Sequence, residues 1–164
     1  MSYIKRNFTS NHVSIVDTTS FTKQTISTSI VGYNGTEVTY TPTSNAASVV
    51  YEVNYTLSWD PSLAGSYPQT RVQYSTDNGS SWTDINDTFS FEGWGDWYNN
   101  ATEWIQMSYV YTIPVWSGER KIRLAGRTWQ GNTLFTIGRQ AYASNFGNSG
   151  ADACPHVLIY SVEQ

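Results

Sequence analysis

Charge is scarce in this sequence. Asp, Glu, Lys and Arg make up 13% of its 164 residues, about half the roughly 25% usual for a soluble domain. Its solvated surface must therefore be built mainly from Ser, Thr, Asn, Gln and Tyr. The formal net charge is -4, and no run of Lys or Arg is long enough to form a nucleic-acid footprint. No apolar stretch approaches the roughly 20 residues of a membrane-crossing helix, so no membrane insertion is expected. The start, Met1-Ser2-Tyr3-Ile4-Lys5-Arg6-Asn7, has basic residues with no apolar core behind them and does not read as a signal peptide. Cysteine occurs once, as Cys154, which excludes a disulfide framework within the chain and points to a reducing compartment. Histidine occurs twice, as His12 and His156. Two histidines and one cysteine would leave a zinc site short of a fourth ligand, so neither a metal nor a cofactor is expected. Sequons at Asn7, Asn34, Asn54, Asn78, Asn86 and Asn100 are what so much Asn, Ser and Thr produces by chance.

Helical periodicity is missing as well, and strand periodicity takes its place. Between Ser48 and Trp59 one face carries Val49, Tyr51, Val53, Tyr55, Leu57 and Trp59, while the other is mostly polar. Val38 and Tyr40 alternate before Pro42 ends their run. Ile105, Met107, Tyr109 and Tyr111 make a further alternating strand, closed by Pro114. Ile122 and Leu124 lie in a strand over Arg120–Ala125, and Leu134, Phe135 and Ile137 in a shorter one. Turn signals recur every 8–12 residues or so, the pattern of a β-sandwich or barrel. The segment from Met1 to about Ile30 is rich in Ser and Thr with scattered apolar positions, and reads either as a first strand plus loop or as a docking arm. Gly32-Tyr33-Asn34-Gly35 marks a hairpin or a boundary, and as a boundary it divides an arm, 1–34, from a sandwich domain, 35–164.

The last strand, His156–Val162, differs from the rest. Val157 and Ile159 point one way while Leu158, Tyr160 and Val162 point the other, so both faces need cover. One face meets the opposite sheet; the economical partner for the second is another subunit, the alternative being the amino-terminal arm.

The clearest hairpin is Arg71–Ile85, where Val72 and Tyr74 alternate before the turn residues Asp77-Asn78-Gly79. It spells Ser75-x-Asp77-x-Gly79-x-x-Trp82, which resembles the Asp-box of sialidases and other propeller proteins. That motif is a structural clamp rather than a catalytic group. A propeller needs several blades of about 40–50 residues, and one copy is present. Arg71, Arg120, Arg123, Arg127 and Arg139 offer no evident triad for a substrate carboxylate. Carboxylates for a glycan hydrolase could be drawn from Asp84, Asp87, Glu92, Asp96 and Glu103, yet acids in an Asn/Gly loop are more often solvated. Cys154 and His156 lack an orienting third group for nucleophilic chemistry. No catalytic residue is assigned. Among side chains, Trp94, Trp97, Tyr98 and Trp104, set among Gly, Asn and Asp, are the candidates for stacking on host surface glycans, with burial as a lid or subunit contact the plainer alternative.

Five stretches carry a family likeness: Glu37-Val-Thr-Tyr-Thr-Pro42, Val49-Val-Tyr-Glu-Val53, Tyr74-Ser-Thr-Asp-Asn-Gly-Ser-Ser-Trp82, Gly118-Glu-Arg-Lys-Ile-Arg-Leu-Ala125 and Cys154-Pro-His-Val-Leu-Ile-Tyr-Ser161. Together they resemble virion structural proteins of marine tailed phages, cyanophages in particular, over roughly Glu37 to Val162. The resemblance implies a tumour-necrosis-factor-like jelly roll, as in capsid decoration proteins and fibre knobs, assembled as a homotrimer without catalysis. It also implies a carboxy-terminal strand beside a threefold axis. The expected interface is Leu158, Tyr160 and Val162, joined by Tyr109 and Tyr111 if their strand neighbours that axis. The amino-terminal arm would dock on other virion proteins, and assembly would take place in the host cytoplasm.

Overall fold

A computed structural model describes residues 13–15, 24–59, 68–91, 104–128, 135–137 and 156–163. These form twelve strands and, among the described residues, no helix. They are β1 (Val13–Ile15), β2 (Gln24–Ile26), β3 (Val31–Gly32), β4 (Val38–Tyr40), β5 (Ala46–Trp59) and β6 (Pro68–Ser75). After these come β7 (Thr83–Asp84), β8 (Ser90–Phe91), β9 (Trp104–Pro114), β10 (Arg120–Thr128), β11 (Phe135–Ile137) and β12 (His156–Glu163).

All ladders are antiparallel and divide into two six-stranded sheets. In the first, β5 is central. One edge of β5 pairs with β9 along its length, and the other carries β12 over Ala46–Asn54 and β11 over Leu57–Trp59. Outside these lie β1, paired with β12, and β2, paired with β11. In the second sheet β6 and β10 pair centrally. β3 and β4 share the far edge of β10, and β7 and β8 share the far edge of β6. Short strands lying end to end thus complete four rows per sheet. Their chain order, β1/β2–β11/β12–β5–β9 and β3/β4–β10–β6–β7/β8, is that of a jelly-roll sandwich. Pieces of the segment 1–34 belong to these rows, because β1, β2 and β3 pair within the sandwich's own sheets. β1 lies beside β12 in the plane of the sheet and not over its face.

The core forms where the inward positions of the two sheets meet. Val49, Tyr51, Val53, Tyr55, Val157 and Ile159 of the first sheet pack with Val38, Tyr40, Val72, Ile122 and Leu124 of the second in a single buried cluster. Buried phenols tie the layers together. The Tyr51 hydroxyl donates to the Thr36 carbonyl at 2.6 Å, and the Tyr40 hydroxyl meets Ser161 Oγ at 2.8 Å. Tyr33, Tyr55, Tyr109 and Tyr111 form a chain of ring contacts, with successive centroids 5.6, 6.1 and 5.7 Å apart. Gly126 makes room for this arrangement. A Cβ there would lie 2.1 Å from the Tyr33 hydroxyl and 2.5 Å from the Gln69 carbonyl oxygen, closer than either could yield.

The hairpin after β6 turns at Asn78 and Gly79. Asn78 (φ 59°) and Gly79 (φ 91°) adopt the left-handed conformation that lets the chain reverse. Ser75 Oγ donates to Asp77 Oδ1 at 2.6 Å and accepts from the Gly79 amide at 2.8 Å. Asp77 also accepts from the Ser81 amide (2.9 Å) and hydroxyl (2.6 Å). These bonds, from Ser75 first and then Ser81, hold the Asp77 carboxyl down at about 2.

Candidate functional site

Period-two alternation along β12, β5 and β9, combined with their register, decides which side chains share the outer face of the first sheet. Leu158 stands opposite Glu52, and Glu52 opposite Val110. One step along, Tyr160, Val50 and Thr112 form a second cross-strand line, and Val162, Ser48 and Pro114 a third. In the other direction His156, Asn54 and Ser108 form a fourth. Val110 is 62% exposed. Leu158, Tyr160 and Val162 are half-buried, whereas the inward Val157 and Ile159 are fully buried. Apolar side chains on this face thus span three adjacent strands, of which β9 pairs only with β5 among the described residues.

Polar groups sit among these side chains. His156 Nε2 lies 3.7 Å from Glu52 Oε1 and 2.8 Å from Asn54 Nδ2. The carboxylate at the centre is flanked in register by Leu158 and Val110, so anything covering this face must also accommodate a charge.

The structure separates the five residues expected at a trimer contact. Leu158, Tyr160 and Val162 share the outer face. Tyr109 and Tyr111 are opposite Val53 and Tyr51, on the inner face, and pack against the core. This corrects their grouping with the outer residues. A one-residue step along β9 reverses the direction of the side chain, so Val110 takes the outward place. Sequence alternation puts Val50 and Glu52 on the face of β5 away from the core, but Val110 and His156 join that surface only through the strand register. Alternation alone cannot supply the missing step, because a strand's faces become inner or outer only through its pairing.

The outer face of the second sheet carries a network of its own polar and aromatic side chains. The Arg123 guanidinium stacks over the Trp82 ring at 3.8 Å, and its Nε and Nη2 donate to Gln73 Oε1 at 3.0 and 2.8 Å. Gln73 Nε2 donates to Asp84 Oδ1 (2.8 Å), and Asp84 also receives Arg71, whose guanidinium lies over Phe89. Arg127 Nε donates to Gln69 Oε1 at 2.9 Å, and Lys121 pairs with Glu37 at 2.7 Å. Trp82 of the hairpin therefore braces Arg123 on the sheet surface, while Ser75, Asp77 and Gly79 make the clamp itself.

The glycan candidates Trp94, Trp97 and Tyr98 fall outside the described residues. So do Glu92, Asp96, Glu103, His12 and Cys154. Trp104 opens β9 with its backbone opposite Ser58, and its side chain is likewise outside. Of the acids considered for hydrolysis, Asp84 is engaged by Gln73 and Arg71. Among the described residues no group of three His, Cys, Asp or Glu could hold a metal ion.

No family model and no curated protein matches the chain. Among solved structures it is similar to a chain of "Structure of infectious bursal disease virus Gx strain", at 13% identity and a TM-score of 0.31. That likeness covers 92% of this chain and 36% of the viral one, so this chain spans about a third of its length. A score this low carries no argument about function.

Proposed function

We propose that this protein is a non-enzymatic structural component of a phage virion that assembles as a homotrimer through the outer face of its β12–β5–β9 sheet. The observation carrying the reading is the contrast between the two outer faces. The second sheet carries a network of its own guanidinium, carboxamide and aromatic groups. Among the described residues, the first presents the apolar Leu158, Val162 and Val110 together with Tyr160. Burial of apolar area favours association, and contiguous apolar patches on soluble domains mark such contacts. The jelly-roll row order and the sequence stretches resembling tailed-phage virion proteins support the same reading, with a tumour-necrosis-factor-like module acting as a decoration protein, head fibre or tail-associated knob. In this reading the segment before β1 docks on other virion proteins, assembly takes place in the host cytoplasm, and function is adhesion without catalysis.

Sedimentation equilibrium and light scattering test the proposal. The wild-type chain should run at three times its 18.4 kDa protomer mass. Tyr160→Asp should run as monomer or aggregate, because an unpaired carboxylate inside an apolar contact is costly to desolvate. A monomeric wild type, or a Tyr160→Asp variant that stays trimeric, would overturn it.

A further inference from the structure

The positive charge of this acidic chain is concentrated on two strands. Arg71, Arg120, Lys121, Arg123 and Arg127, five of nine lysines and arginines, lie on β6 and β10, and neither strand contains an acid. Arg123 and Arg127 flank Ala125 on β10, with Arg71 directly opposite Ala125 on β6 and Gly32 opposite it on β3. Ala125 is fully buried, and the Arg123 side chain lies so close over Gly32 that a Cβ there would be 2.6 Å from its Nη1. Three guanidiniums thus surround a floor of two small residues.

The partners of these groups differ. Asp84 binds Arg71, and Glu37 binds Lys121. Arg123 and Arg127 are held by neutral carboxamides, Gln73 and Gln69. A carboxamide oxygen orients a guanidinium fork without neutralising it.

We infer that this face is a binding site for a carboxylate-bearing polysaccharide. The central ladders of β6 and β10 use their backbone groups within the sheet. A peptide partner would therefore find no strand edge to extend here. Recognition falls to side chains: guanidinium forks for carboxylates, held in place by the buried Gln69 and Gln73, and the ring of Phe89, 55% exposed beside Arg71, for a sugar face. The site lies within one protomer and does not depend on trimer formation. A trimer would present three copies and bind a polymer more tightly through multivalency.

Biolayer interferometry of the full chain against immobilised polygalacturonate tests the inference, with dextran and polyglutamate as comparison surfaces. Binding should be selective for polygalacturonate and should weaken as salt rises. Arg127→Gln should weaken it roughly 5-fold, and Arg123→Gln with Arg127→Gln at least about 10-fold, as expected for lost charge-assisted hydrogen bonds. Glu52→Gln, on the opposite sheet, should leave it unchanged. The monomeric Tyr160→Asp variant should still bind through single sites, so failure of the trimer reading and failure of this one are distinguishable. Absence of binding, equal binding to dextran, tighter binding to polyglutamate, or an Arg127→Gln variant with unaltered circular dichroism and wild-type affinity would each overturn it.

Discussion

Asp77 owes its low carboxyl pKa to hydrogen bonds made within its own turn, not to a neighbouring cation. A carboxylate whose folded value lies below its ordinary one stabilises the fold above that ordinary value, near 3.8, and the contribution is lost as pH falls through about 2. Local tightness of the hairpin should therefore fade between about pH 4 and pH 2. Carboxyl-carbon NMR should place the Asp77 midpoint near 2 in the wild type and return it towards 3.8 in Ser75→Ala. An unmoved midpoint in the variant would show that Ser81 alone holds the charge. This clamp was legible in eight letters because each bond spans four residues or fewer. The braces on the second sheet were not legible, since Arg123 finds Gln73 from fifty positions away in sequence.

At the scale of elements, β9 shows how far alternation reaches. It correctly puts Met107, Tyr109 and Tyr111 on one face, and the register with β5 then turns that face inward. Tyrosine gave no warning, because a phenol suits a solvated contact as well as a core. The faces of β5 and β12 were plainer, since their inward positions are the aliphatic and aromatic runs beginning at Val49 and Val157. The pairing of β5 with both β9 and β12 was beyond reach, because side-chain period fixes faces and not neighbours. Two substitutions one position apart should thus behave differently. Val110→Asp should preserve the fold and abolish assembly in sedimentation runs. Tyr109→Ala should cost about 3 kcal/mol by urea unfolding, since it empties space against the core. Comparable unfolding midpoints for the two variants would contradict the facing assigned to β9.

The whole molecule is stapled across its two layers by phenols, and this sets its response to alkali. Burial raises the Tyr33, Tyr51 and Tyr55 hydroxyls above the usual tyrosine range. In the unfolded chain the same groups ionise near pH 10. A proton held more tightly by the folded state means that stability is complete below about pH 10 and declines above it, by roughly 1.4 kcal/mol per pH unit for each such phenol. Absorbance at 295 nm should show these three tyrosines ionising only in step with the loss of far-ultraviolet dichroism. Smooth titration of all tyrosines ahead of unfolding would contradict the buried staple.

One row of the first sheet is written in two pieces. Ile137 of β11 stands opposite Leu57, and His156 of β12 opposite Asn54, so the chain leaves β5 and returns to it three positions away, a gap of about 10 Å along the strand. Residues 138–155 bridge that gap. The pairing on either side is fixed by β5, which serves as one template for both pieces. A residue inserted in β5 between Asn54 and Leu57 would therefore shift one piece against the other and turn its side chains to the opposite face.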